Sequence, residues 1–138
     1  MATFKDYLEN NSLLILHGAL GTEMEALGYD ISGKLWSAKY LLEKSEVIQE
    51  LHETYVAAGA DLITTSSYQA TLPGLVEAGL TEKAAEQIIA LTVRLAKAAR
   101  DKVWGALDET EKAKRPYPLI SGDVGPYAAY LANGSEYS

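Results

Sequence analysis

Hydrophobic positions along the chain follow two periods. Residues 12–16, Ser-Leu-Leu-Ile-Leu, form a continuous apolar run of strand length. Such a run suits a strand buried on both faces, as in a parallel sheet. Two further strands are predicted, from about Asp61 to Ser66 within DLITTSSYQA and over Pro118–Gly122. Between them the spacing turns helical. Val47, Ile48, Leu51, Tyr55 and Ala58 repeat behind a Ser45 N-cap and stop at Gly59. Ala85, Ile88, Ile89, Thr92, Leu95, Ala96, Ala99 and Val103 form a stripe behind Thr81-Glu82. Two short helices precede these. One covers residues 3–10, with Phe4, Tyr7 and Leu8 on one side, and one runs from a Thr22 N-cap to about Leu27, ended by Gly28. Residues 29–44, with Trp36 and Tyr40-Leu41-Leu42, have no clear period, and the charged stretch 105–116 reads as a solvated loop or helix extension. The order helix, strand, helix, helix, strand, helix, strand predicts an α/β fold of parallel βαβ units with right-handed crossovers. Three strands are few for such a sheet. They call for helical layers on both faces or for more strands that close a barrel.

Length and charge narrow the function. The 138 residues make about one small domain. A formal net charge of −7 argues against nucleic acid, which requires a basic patch, and against an anionic membrane surface. No apolar run approaches the ~20 residues that span a bilayer, and MATFKDYLENN has no signal-peptide core. A cytoplasmic location is the default expectation. The chain has no cysteine, which excludes a disulfide, a thiolate metal site or a cysteine nucleophile within it.

Ligands of parallel α/β folds bind at the carboxyl ends of the strands. Here the first predicted strand ends in His17-Gly18, the second in Thr64 to Gln69, and the third in Gly122-Asp123-Val124-Gly125-Pro126-Tyr127. Small and polar residues at all three ends let a small molecule approach backbone amides and hydroxyls. Each residue also has a plainer role. Gly18 and Gly21 permit turns, the threonines and serines end a β-branched strand, Trp36 suits a core, and Gly125-Pro126 makes a rigid turn. LHGALGTE lacks the third glycine of a dinucleotide fingerprint. His52 reads as a surface or boundary histidine, not paired with His17 at metal-ligand spacing. His17 is open between general base, substrate hydrogen-bonder and interior residue, and no serine or acid completes a triad with it.

The stretches HGALGTEMEALGYD, LWSAKYLLEKSEVIQELHETYVAAGADLITTSSYQAT and GDVGPYAAYLANGSEY together resemble the N-terminal part of a homocysteine S-methyltransferase, of the type using S-methylmethionine or S-adenosylmethionine. The resemblance implies a (β/α)8 TIM barrel of which this chain supplies about the first three strands. It also implies a catalytic zinc that lowers the pKa of the homocysteine thiol, so that the thiolate takes the methyl group of a sulfonium donor and gives methionine. In the family three cysteines of the later half of the barrel hold that zinc, and a later glutamate binds the homocysteine amino group; this chain carries none of these ligands. By the motif match, His17, Gly18, Trp36, Thr65, Tyr68 and Gly125 fall at substrate-binding positions. One departure is His17, where the family has aspartate. A neutral imidazole accepts a hydrogen bond through one nitrogen only. The expectation is therefore residues 1–138 as a truncated N-terminal part of the homocysteine-binding domain, inactive alone and prone to self-association through unpaired strand edges. The alternative is a non-catalytic α/β module for amino-acid binding or assembly.

Overall fold

The computed structural model describes residues 3–11, 13–33, 36–68 and 70–125, the side chains of Trp36 and Ser37 excepted. The chain begins with α1 (Phe4–Asn10), started by a Thr3–Asp6 capping box. Tyr7 of α1 is buried, whereas Phe4 and Leu8, expected beside it, are exposed. Next come α2 (Leu20–Ala26), α3 (Trp36–Glu43) and α4 (Ser45–Ala58). A short β1 (Leu62–Thr64), α5 (Leu72–Glu77), the long α6 (Glu82–Ala106), α7 (Glu109–Lys112) and β2 (Leu119–Ser121) complete the described order.

The sheet is parallel, as the alternation requires. β1 pairs with β2 in the register Leu62–Leu119, Ile63–Ile120 and Thr64–Ser121. The first apolar run reaches the other side of β1 with a single parallel bridge, Leu16 to Leu62. It does not form a strand of its own, and Ser12 lies outside the described residues. Asp61 fastens it there. The Asp61 carboxylate accepts the Ile15 N–H at 3.0 Å, while the Asp61 amide donates to the Ile15 carbonyl at 2.8 Å. Leu13, Ile15 and Leu16 stay exposed, so burial on both faces is not achieved within the described residues.

Helices α4 and α6 pack along each other and over the sheet. The α6 stripe holds as its spacing predicts, with Ala85, Ile88, Thr92, Leu95, Ala96 and Ala99 buried. Thr81 caps α6 by accepting the Ala84 N–H at 3.2 Å. On α4 the buried face is rotated from the expected one. Val47, Ile48 and Leu51 are joined by His52 and Val56, while Tyr55 is half-buried and Ala58 exposed. Ile48, His52 and Val56 lie four apart, and that spacing places all three on one face. The α4 helix ends at Gly59, whose φ of 110° suits only glycine without strain. Arg115 secures this end from afar, donating to the carbonyls of Val56 and Ala60 at 2.8 Å each.

Three local expectations change. Ala19, not Thr22, precedes the first turn of α2, so Gly21 lies inside the helix instead of in a loop. Lys44, not Ser45, is the α4 N-cap. α5, absent from the hydrophobic pattern, is started by Thr71, which accepts the Gly74 N–H at 3.2 Å, with Pro73 in the first turn. Proline there loses no helical hydrogen bond.

Candidate substrate pocket

The ends of the first run, β1 and β2 converge on a cavity of about 310 Å3 lined by His17, Gly18, Ala19, Thr64, Thr65, Ser66, Tyr68 and Asp123, with Leu20 and Gly21 of α2 at its edge. Four of the six positions singled out in the sequence therefore meet in one place: His17, Gly18, Thr65 and Tyr68. Gly125 lines a neighbouring cavity of about 260 Å3 with Ser67, Ala70, Thr71, Leu72, Ile89, Asp123 and Val124. The Trp36 side chain, Gln69, Pro126 and Tyr127 lie outside the described residues.

Gly18 is a site of close approach, not only of turning. A Cβ there would come within 2.7 Å of Tyr55 Cε1. The Tyr55 hydroxyl donates to the Ala19 carbonyl at 3.2 Å, and its ring meets His17 edge-on at 5.6 Å between centroids. Burial raises the Tyr55 pKa, with Glu23 adding to the shift, so the phenol stays protonated and remains a donor. This tyrosine pins the first loop of the pocket to α4.

His17 stands at the pocket wall with Nδ1 buried and without a hydrogen-bond partner among the described residues. Burial lowers its pKa, opposed by the charge of Asp123. Behind it lies His52, its ring centroid 6.4 Å from that of His17. His52 is a core residue, fully buried, with neither ring nitrogen bonded to a described residue. That overturns its reading as a surface or boundary histidine. Burial pushes its pKa down to about 4, and the nearby His17 adds to the shift. Both rings are neutral at neutral pH.

Thr65, Ser67 and Asp123 form a ring of hydrogen bonds beside the pocket. The Asp123 N–H donates to Thr65 Oγ1 at 2.9 Å, and Ser67 Oγ donates to the Asp123 carbonyl at 2.6 Å. Thr65 Oγ1 and Ser67 Oγ are 2.7 Å apart. Because the Ser67 proton goes to the carbonyl, the Thr65 hydroxyl must donate to Ser67. The cycle closes with every donor satisfied. The Thr65 hydroxyl thus positions Asp123, and its proton is not free for a ligand. Ser66 differs: its Oγ is buried in the same pocket and unbonded among the described residues. Sequence reasoning passed over Asp123 and Ser66 as binding residues. The available signal was an acid two residues past the third strand, at the face where the other two ends meet.

The sequence profile of the homocysteine S-methyltransferase family matches residues 14–138. The chain belongs to the homocysteine S-methyltransferase family. It is 44% identical over 137 residues to the homocysteine S-methyltransferase YbgG of Bacillus subtilis, covering 99% of this chain and 43% of that protein. It is 42% identical over 124 residues to homocysteine S-methyltransferase 1 of Zea mays, covering 90% of this chain and 38% of that one. Its fold is similar to the crystal structure of the metallated homocysteine methyltransferase MmuM from Escherichia coli, with a TM-score of 0.84 and 43% identity. That likeness covers 94% of this chain and 43% of the other. The chain thus spans 38–43% of the length of these relatives, in a family of methyltransferases.

The metal implied for the family does not fit the residues present. The sequence has no cysteine, and among the described residues no group of three His, Asp or Glu side chains is placed to hold a metal ion. No described helix is long and apolar enough to cross a membrane.

Proposed function

We propose that these residues form the N-terminal, substrate-side part of a zinc-dependent homocysteine S-methyltransferase domain built as a (β/α)8 barrel. Its reaction is methyl transfer from S-methylmethionine or S-adenosylmethionine to homocysteine, giving methionine, in the cytoplasm. The observation that carries this reading is the convergence of two parallel strand ends and the end of the bridged first run on one pocket in a chain of this family. Ligands of parallel α/β folds bind at that face. The residues of this chain bind and orient the amino acid, with His17, Gly18, Tyr68 and the Thr65-positioned loop at its walls. Trp36 and Gly125 are assigned by motif to the same substrate. The zinc-binding cysteines belong outside these 138 residues, and no chemical step is assigned to the chain alone. The exposed Leu13, Ile15 and Leu16 form the side on which further barrel strands close. In isolation the same side favours self-association.

Calorimetric titration of homocysteine into the 138-residue chain tests the reading. Homocysteine is expected to bind, and neither sulfonium donor is expected to be demethylated. Absence of binding would count for a module that serves assembly only. Methyl transfer by the isolated chain would refute the partition of binding and chemistry.

A further inference from the structure

We propose that His52 is a positioning residue for His17, and that one buried water joins the two rings and fixes which nitrogen of His17 carries the proton. The inference deepens the substrate-pocket reading, because it decides what His17 offers a ligand, but its argument does not need the ligand's identity. Three nitrogens lie here without a hydrogen-bond partner among the described residues: Nδ1 of His17 and both nitrogens of the fully buried His52. Each neutral ring has one N–H to give and one lone pair to fill. Such groups are costly to leave unmet in a core, and a buried water is the usual way to meet them. The spacing selects a water over a direct bond. The ring centroids are 6.4 Å apart. A direct N–H···N bond requires ring centres within about 5 Å, whereas two bonds of about 2.8 Å meeting at a tetrahedral oxygen set them about 6–6.5 Å apart.

Helix α4 supplies both halves of the support. Tyr55, three residues after His52 and so on the same side of the helix, meets the His17 ring edge-on and holds its plane. Its hydroxyl proton is spent on the Ala19 carbonyl, so it has none to give to Nδ1. Nδ1 is the buried nitrogen and the ring lines the cavity, which leaves Nε2 as the nitrogen open to the pocket. The Asp123 carboxylate lines the same cavity, and its charge acts on His17. A carboxylate repels an imidazole lone pair and attracts an imidazole N–H, so the proton of the neutral ring sits on Nε2. Nδ1 then carries a lone pair that needs a donor. The water gives one hydrogen to Nδ1 and is itself held by a nitrogen of His52. Held in this form, His17 presents the pocket with an N–H donor, and the ligand group that matches it is an acceptor.

The test uses the whole chain, whose two histidines give only two rings to follow by nitrogen-15 NMR. At pH 7.5 the wild-type His17 is expected to be a single tautomer protonated at Nε2. A high-resolution crystal structure is expected to show a water within hydrogen-bond distance of His17 Nδ1 and of one His52 nitrogen. His52→Leu is expected to lose that water and to let the Nδ1–H form of His17 appear. His52→Gln, whose carboxamide can hold the same water, is expected to restore the single tautomer. Homocysteine affinity is expected to fall roughly two- to tenfold in His52→Leu and to recover in His52→Gln. A merely structural role for His52 would change stability and leave the His17 tautomer as it was. The same tautomer in wild type and His52→Leu overturns the proposal. So does a wild-type structure with no water between the two rings, a result that needs no variant to fold. If wild type binds no homocysteine yet the tautomer shifts in His52→Leu, the homocysteine reading fails and the His52 assignment stands.

Discussion

The chain is expected to lose about 3 kcal/mol of folding stability between pH 6.5 and pH 4 because of one residue, His52. The cause is the difference in proton binding between folded and unfolded states. Unfolded, His52 takes up a proton below its ordinary value of 6.5; folded, burial holds it neutral until about pH 4. Its contribution is complete above pH 6.5, declines as pH falls through this window and levels off below it. His17, also lowered by burial, adds a smaller effect of the same sign. His52→Leu removes the largest contribution. Leucine fills the space between Ile48 and Val56 without two unbonded nitrogens, so the variant is expected to match or exceed wild type at pH 7. The check is a pair of urea-unfolding series from pH 7.5 to 4. The carboxylates titrate alike in both proteins, so the gap between the curves isolates His52. Curves that stay parallel across the window would refute the assignment.

Gly125→Ala is expected to destabilise the fold by about 1–3 kcal/mol and to weaken ligand binding with it. A Cβ at this position would run into the Tyr68 backbone carbonyl oxygen and lie 3.0 Å from Cδ2 of the Tyr68 ring. Backbone cannot swing aside as a side chain can. The loop after β2 must back away from the turn after β1, which pulls on the Thr65–Ser67–Asp123 ring. Gly105→Ala supplies the contrast. Gly105 sits in the last turns of α6, where an added Cβ would meet nothing within 4 Å, and alanine there is expected to stabilise by about 0.5–1 kcal/mol. Urea midpoints of the two variants should therefore move in opposite directions. Two shifts of the same sign would show that crowding at Tyr68 is not what requires a glycine at 125.

The sequence pattern is most informative where a long periodic stripe is buried along its whole length. α6 has a long stripe and a threonine cap and packs mainly against α4, with α3, α5 and β2 also against it, and its outline is legible from spacing alone. The first apolar run is legible as sheet-forming but not as incomplete. Strand length is decided by what pairs on either side, and here the described pairing is one bridge and a carboxylate. His52 is easily misjudged because histidine is usually polar surface, although its position four residues from both Ile48 and Val56 already places it in the core stripe. At the pocket, strand ends locate the cavity. The division of labour within it is not legible, because Thr65 and Ser66 are alike in sequence. Only the geometry shows one hydroxyl tied into a ring and the next one free.

That ring runs in one direction only. A peptide N–H can only donate and its carbonyl can only accept, so Asp123 dictates how both hydroxyl rotors point. Neither ligand nor solvent can reverse them without breaking the circuit. An amide in a loop ordinarily surrenders its hydrogen to water quickly. The Asp123 amide, bonded to a buried threonine, is shielded in a stretch with no strand partner of its own, and its exchange serves as a clock for the moment when the end of β2 lets go of the end of β1.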